Sequence, residues 1–353
     1  MKIKTLLAAA AMCVATVAHA EFTLLVPQEP GKGTSVWAGI IARHLSTFVG
    51  EPVIVRHFPG ARDIPGFNEF HNKLRHDPKT IMVAHGGNGV SYLLDPVDYD
   101  YREYDSIGMM NLDIVNGRNA KTDLDKGTFI VPGSSGYEPD GMAMTMLLCG
   151  PRLSTEAYLA CFRERIKWVN GVKGNEKRLG FLRGEFNTTR ESPSAWIKFH
   201  TGSKANPDNV IWFTHGIYDL ANRQQIPDPN FPNTQFEEVY RARWGQYPQG
   251  ELYDAYRLTR NWRDVLQKSL WVNRGNPNTE KLRTALRAML ADKDVVAEIE
   301  RDTGRYPWIT GEDGNRVITE LYKLITPTAL RTAVKWNQEA YGFPSVFKPE
   351  LLK

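Results

Sequence analysis

With 353 residues, 42% of them hydrophobic and 11% aromatic, the chain can bury the core of two ordinary domains and is too apolar to be disordered. Its formal charge of only +4 leaves no electrostatic footprint for nucleic acid or for an anionic membrane. Past the first 20 residues no stretch approaches the roughly 18 uninterrupted apolar residues of a spanning helix.

The N-terminus reads as a signal peptide. Lys2 and Lys4 precede the apolar run Leu6–Val17, and Ala18-His19-Ala20 has the small-x-small pattern of a cleavage site, so residues 1–20 are expected to be removed after Ala20. Met12 before Cys13 argues against a lipoprotein. The remaining 333 residues carry a charge of +2, because Lys2 and Lys4 leave with the leader. Export places the protein in the periplasm, where Cys149 and Cys161 are free to pair or to stay as two buried thiols.

Phe22–Val26 predicts a buried strand, Thr34–Phe48 a helix, Pro52–Arg56 a strand, Pro65–Leu74 a helix and Thr80–Ala84 a third strand. That alternation is the mark of a parallel sheet with crossover helices. Ser106–Asn116 reads as extended and Gly117–Lys126 as a polar linker. A second unit follows, with strands at Thr128–Val131, Ile166–Val169 and Val210–Phe213 and helices at Tyr137–Leu148, Lys173–Leu182 and Ser194–Thr201. Ile226–Asn233, rich in proline and asparagine, is a loop. Helical spacing dominates thereafter, at Thr234–Arg243, Leu252–Leu266, Thr279–Ala291, Asp294–Arg301 and Gly314–Ile325.

Three glycine-rich turns follow predicted strands: Pro30-Gly31-Lys32-Gly33-Thr34-Ser35, His85-Gly86-Gly87-Asn88-Gly89 and Pro132-Gly133-Ser134-Ser135-Gly136. Open α/β sheets bind ligands at such strand ends. The first is not a nucleotide loop: Gly33 stands where a Walker loop needs Ser or Thr, and Val26 where it needs its first glycine. What remains is a helix N-terminus whose unpaired N–H groups and dipole favour a carboxylate or phosphate; the bland alternative is a helix capped by Thr34.

LLVPQEPGKGTSVWAGIIARHL, then EPVIVRHFPGARDIPG, then HDPKTIMVAHG, resemble the N-terminal region of the tripartite tricarboxylate transporter solute receptors, the Bug-type periplasmic binding proteins. VPGSSGYEPDGMAMTMLL, GNEKRLGFLRGEFN and DPNFPNTQFEEVY agree with the family more loosely. The resemblance implies an α/β, type II periplasmic-binding-protein-like fold, with two α/β domains around an interdomain ligand cleft. It implies a first domain of residues 21–117 plus 215–353 and a second of 118–214. It also implies a monomeric receptor, not an enzyme and without a cofactor, that holds a small organic acid between two backbone-rich loops and delivers it to membrane transporter subunits. Gly31, Lys32, Gly33, Thr34 and Ser35 would form one jaw, Gly133, Ser134, Ser135 and Gly136 the other, and Gln28 is a further ligand-binding candidate.

The chain departs from the family pattern where Lys32 replaces the second glycine of P-G-G, Ser35 the loop aspartate, Gly39 the helix arginine, and Arg62-Asp63 the second glycine pair. A jaw more positive by two charges would favour a di- or tricarboxylate, if Lys32 faces the ligand rather than water. Further candidates for the cleft are His85 and Gly86, and Arg183 or Asn187 for the ligand's far end. HGGNG also resembles an esterase oxyanion motif, but no G-x-S-x-G elbow accompanies it. No histidine, cysteine and carboxylate set has zinc spacing. A secreted esterase and a sensor for a signalling partner are the rival readings.

Overall fold

The computed structural model describes residues 21–133, 138–151, 154–172, 174–202, 205–219, 221–222 and 224–352. Residues 1–20, expected to be a signal peptide, and Ser134, Ser135 and Gly136, expected in the second jaw, lie outside them.

The first unit is built on a six-stranded sheet of order β13-β4-β12-β3-β1-β2. Its strands are β1 (Phe22–Val26), β2 (Val53–His57), β3 (Thr80–Ala84) and β4 (Tyr104–Met110), joined from late in the chain by β12 (Lys268–Asn273) and β13 (Trp308–Thr310). β1 lies parallel to β2 and β3, with Leu24 opposite Val55 and Ile81. β12 wedges in antiparallel to both β3 and β4. Phe22, Leu24 and Val26 point into one core and Leu25 into the other, as the two-residue period of a strand requires.

One face is covered by α1 (Gly33–Val49), whose Trp37, Ile41 and Leu45 share a core with Leu270 and Leu286. Between β2 and β3 runs α2 (Ile64–Glu69), and a π turn over Phe70–Leu74 interrupts the single helix expected for Pro65–Leu74. The opposite face carries α3 (Gly86–Leu94), a helix the sequence reading takes for a glycine turn. Gly86 and Gly89 serve close approach: a Cβ at Gly86 would stand 2.1 Å from the Arg263 carbonyl oxygen, and one at Gly89 2.2 Å from that of Trp262.

The extended stretch expected at Ser106–Asn116 divides between two sheets. β5 (Val115–Asn119) leaves the first sheet and forms the antiparallel sheet β8-β5-β9 with β8 (Thr188–Glu191) and β9 (Asn209–Thr214). Gly117–Asn119 is therefore strand rather than linker. β6 (Phe129–Pro132) and β7 (Ile166–Val169) pair in parallel, and β10 (Ile217–Asp219) and β11 (Gln224–Ile226) form a hairpin. Around them lie α4 (Asp140–Cys149), α5 (Thr155–Arg165), α6 (Gly174–Arg183) and α7 (Pro193–His200). A disulfide joins Cys149 at the end of α4 to Cys161 in α5. Trp212 stacks on Phe129 with ring centroids 4.8 Å apart, so it belongs to the packing of this unit.

The remaining helices are α8 (Phe236–Trp244), α9 (Glu251–Asp264), α10 (Thr279–Ala291), α11 (Lys293–Thr303), α12 (Glu312–Tyr322) and α13 (Pro327–Glu339). α10 and α11 join α1 on its face of the sheet, whereas α9 and α13 pack with α3 on the other. α8 and α9 also touch α4, and α13 touches α5, so one apolar core continues from Leu25 and Trp262 to Phe129, Met146 and Trp336. Among the described residues no helix is long and apolar enough to cross a membrane.

Candidate ligand site

β1 ends in the turn Pro27–Lys32, where Gly31 has φ +82°, a conformation L side chains rarely adopt. α1 then begins at Gly33 with Lys32 as its cap, and the lysine side chain caps nothing. Thr34 is not the cap either. It sits inside the first turn, 3% exposed, and its hydroxyl accepts from Lys268 Nζ at 3.3 Å. The N–H groups of Gly33, Thr34 and Ser35 have no acceptor among the described residues, and no acidic residue occupies the first turn. These are the orphan donors and the positive dipole end that every helix start exposes. Ser35 Oγ lies 2.8 Å from His57 Nε2 and accepts from the Gly31 N–H at 3.3 Å.

The loops after β1, β2 and β3 meet at Asp63. Gln28 Nε2 donates to its carboxylate at 3.2 Å, His85 Nε2 donates to the same oxygen, and Asn88 Nδ2 donates to its carbonyl at 3.0 Å. His85 caps α3, accepting from the Gly87 N–H through Nδ1 at 3.0 Å, which leaves Nε2 to carry the proton toward Asp63. Burial pushes the Asp63 carboxyl up, but the His85 imidazole and the hydrogen bonds from His85 and Gln28 outweigh it and hold the group below its usual range. Arg62 and Asp63 both have positive φ, +55° and +61°, at the place where the resemblance has two glycines. Left-handed backbone at non-glycine residues costs on the order of 1–3 kcal/mol each and concentrates at functional loops.

α4, α9 and the strands β8 and β9 meet over a buried set of charges that the sequence reading does not anticipate. His215, just past β9, forms an ion pair from Nε2 to Asp140 at 3.0 Å and donates Nδ1 to Asp264 at 2.6 Å. Asp140 opens α4 and Asp264 closes α9, so one imidazole ties α4 to α9. Burial would push His215 down, but the two carboxylates raise its pKa to about 9. Arg190 from β8 adds an ion pair to Asp140 at 3.1 Å, and Lys177 pairs with Glu138 at 3.2 Å. The only sequence signal for this set is the histidine at the return crossing between the units.

The sequence candidates divide accordingly. Gly31, Lys32, Gly33, Thr34 and Ser35 share one turn, and Gln28 and His85 meet at Asp63 beside it. Lys32 is half exposed and lies 3.9 Å from Glu29, so its charge faces water and a neighbouring carboxylate. Gly86 is committed to helix packing through its missing side chain. Gly133 donates its N–H to the Val169 carbonyl at 2.8 Å, within the parallel ladder of the second unit. Arg183 is exposed and paired with Glu185 at 2.7 Å. Asn187 uses its amide to join β6 and β8, accepting from the Ile130 N–H at 2.6 Å and donating to the Thr128 carbonyl at 2.8 Å.

No family model matches the sequence, and no curated protein does. Solved structures do resemble it. The periplasmic binding protein BugD is 14% identical with a TM-score of 0.55, covering 90% of this chain and 97% of its own. A TctC solute-binding protein from Polaromonas is 14% identical with a TM-score of 0.53, over 88% of this chain and 97% of that one. MatC from Rhodopseudomonas palustris, with bound malate, is 13% identical with a TM-score of 0.53, over 91% and 99%. The chain has the periplasmic binding-protein fold of the Bug and TctC proteins.

Proposed function

We propose that this protein is a divergent Bug-type solute receptor of the periplasm that captures a small organic carboxylate and presents it to a tripartite-type membrane transporter. The observation that carries the reading is the start of α1: three N–H groups without acceptors and an uncapped dipole end, at the carboxyl end of a central parallel strand. A charge-assisted hydrogen bond contributes about 1.5–3 kcal/mol. Three such bonds contribute about 4.5–9 kcal/mol before the freedom lost on binding is subtracted, so contacts from the closed cleft must add to them to reach the about −8 kcal/mol of a micromolar receptor. The neighbours' names supply the periplasm and the solute, and malate in MatC is the first acid to try.

In this reading residues 118–214 form the second domain and bring the Gly133–Gly136 loop toward α1, with α8 and α13 packed across the boundary. The cycle is binding, closure and release by a monomer, with no covalent step. A diacid or triacid is favoured over a monoacid.

One contact favours a second reading. Ser35 Oγ lies within hydrogen-bond distance of an imidazole, the beginning of a hydrolase's nucleophile and base. Among the described residues, however, no carboxylate lies within hydrogen-bond distance of His57 to orient it. Turnover of an activated ester that Ser35→Ala abolishes would favour the hydrolase.

The test is calorimetry on protein expressed with its leader, purified from the periplasm, and unfolded and refolded to strip carried-over ligand. Mono-, di- and tricarboxylates are titrated in turn. One-to-one micromolar binding that Thr34→Ala and Ser134→Ala both weaken supports the receptor; a folded protein that binds none of the acids overturns it.

A further inference from the structure

Lys268 begins β12, in the middle of the six-stranded sheet, and is 7% exposed. Its side chain runs to the underside of the first turn of α1. Nζ donates to Thr34 Oγ1 at 3.3 Å and stands 3.7 Å from where a Cβ on Gly33 would lie. No carboxylate among the described residues comes within ion-pair distance of it. Asp302 on α11 acts on it only from farther away.

An aromatic face is the other neighbour of the ammonium. Trp37, one turn along α1, is fully buried with its indole N–H unpartnered, and Nζ is 6.0 Å from its ring. A buried ammonium thus stands under the positive end of a helix, with a hydroxyl and an aromatic face beside it and no acidic side chain at hand. Such a concentration of positive potential is unfavourable unless an anion completes it.

We infer that Lys268 is the charged specificity residue of the ligand site: its ammonium, under the first turn of α1, is the counter-charge for an oxyanion group of the bound acid. This rests on the α1 jaw being the ligand site. The positive charge that the sequence reading assigns to Lys32 thereby moves to a residue more than 200 positions later in the chain. Burial, only partly offset by Asp302, pushes the Lys268 pKa down to about 7, so the ammonium is poised to be restored when an anion arrives. A lysine kept only to support Thr34 would gain nothing from its charge.

The experiment compares wild type, Lys268→Met and Gly33→Ala at about pH 6, below the Lys268 pKa. Malate and inorganic phosphate are titrated separately, and the Lys268 ε-carbon is followed by NMR. Gly33 has no strained φ, and an added methyl makes only ordinary contact with Nζ, so Gly33→Ala folds while covering the ammonium. The expected result is a loss of malate affinity of tenfold or more in Lys268→Met, a smaller loss in Gly33→Ala, and an ε-carbon shift on malate binding in wild type. Malate binding within twofold of wild type in Lys268→Met overturns the inference and leaves the receptor standing. If no acid binds wild type, the receptor reading falls, and the ε-carbon decides alone. A shift and a raised Lys268 pKa with phosphate keep Lys268 as an oxyanion site; no movement with either anion overturns it.

Discussion

His215 lies between the carboxylates of Asp140 and Asp264, at 3.0 and 2.6 Å, whereas Lys268 has a hydroxyl at 3.3 Å and no carboxylate at ion-pair distance among the described residues. Both are buried cations of one chain, and their pKa values move in opposite directions, His215 up to about 9 and Lys268 down to about 7. Burial alone lowers both; the difference is the counter-charge. The first cation is spent on joining α4 to α9. The second is left uncompensated under the helix start where the ligand is proposed to bind, which is what a binding site that stores attraction for an anion looks like.

The comparison breaks most visibly at His215. Removing it as His215→Asn takes the paired cation from the buried Asp264 carboxylate and leaves Asp140 to Arg190 at 3.1 Å and Arg263 at 3.9 Å, and unfolding in denaturant should lose about 3–5 kcal/mol. The wild-type contribution has a definite pH window. A folded pKa raised from 6.5 to about 9 means it is fully present below about pH 6.5 and lost as pH rises through about 9. A stability profile flat across that window would show that the imidazole does not carry the tie.

Lys268→Met should have the opposite sign. A folded pKa lowered from 10.5 to about 7 means the charged lysine costs stability below about pH 7, a cost relieved as the pH rises toward the unfolded value. The methionine variant should therefore melt higher than wild type at about pH 6, by on the order of 2–4 kcal/mol, while binding malate less well. Lower stability together with unchanged binding would mark the lysine as structural.

Affinity for the acid should fall as pH rises above about 7, by at most tenfold (about 1.4 kcal/mol) per pH unit, and Lys268→Met should flatten that slope. The groups that act on Lys268 or stand around this turn are Asp302 on α11, His57 against Ser35, and the Asp63–His85 pair. A His57→Gln control separates the imidazole nearest the jaw from the lysine. The smallest effect is expected at Lys32, exposed and beside Glu29: Lys32→Gly should change affinity by less than about 0.5 kcal/mol. A larger change would return the specificity charge to the surface loop.

The elements whose own residues state their burial were legible in the sequence. Apart from Thr23 and Thr80, Phe22–Val26 and Thr80–Ala84 are apolar because parallel central strands are covered on both faces, and α1 shows its buried stripe through Trp37, Ile41 and Leu45. What stayed hidden depends on partners far along the chain. His85–Gly89 reads as a turn because its glycines break helical propensity, yet tight packing of α3 on the end of α9 overrides it. β12 brings Lys268 beneath Gly33 across 235 positions, and no local pattern announces a strand that enters the sheet antiparallel from the C-terminal third. The glycine-to-Arg62-Asp63 departure was visible, but not that both would keep a glycine-like backbone and gather Gln28 and His85 around a carboxylate.

The central claim is that a carboxylate sits on the opening turn of α1, and the most direct measurement is amide-detected NMR of the refolded protein during a malate titration. The account predicts that the Gly33, Thr34 and Ser35 amides move downfield together and saturate with the calorimetric affinity, as expected of N–H groups that gain a charged acceptor. Saturable binding that leaves those three amides in place, with shifts elsewhere, would contradict it.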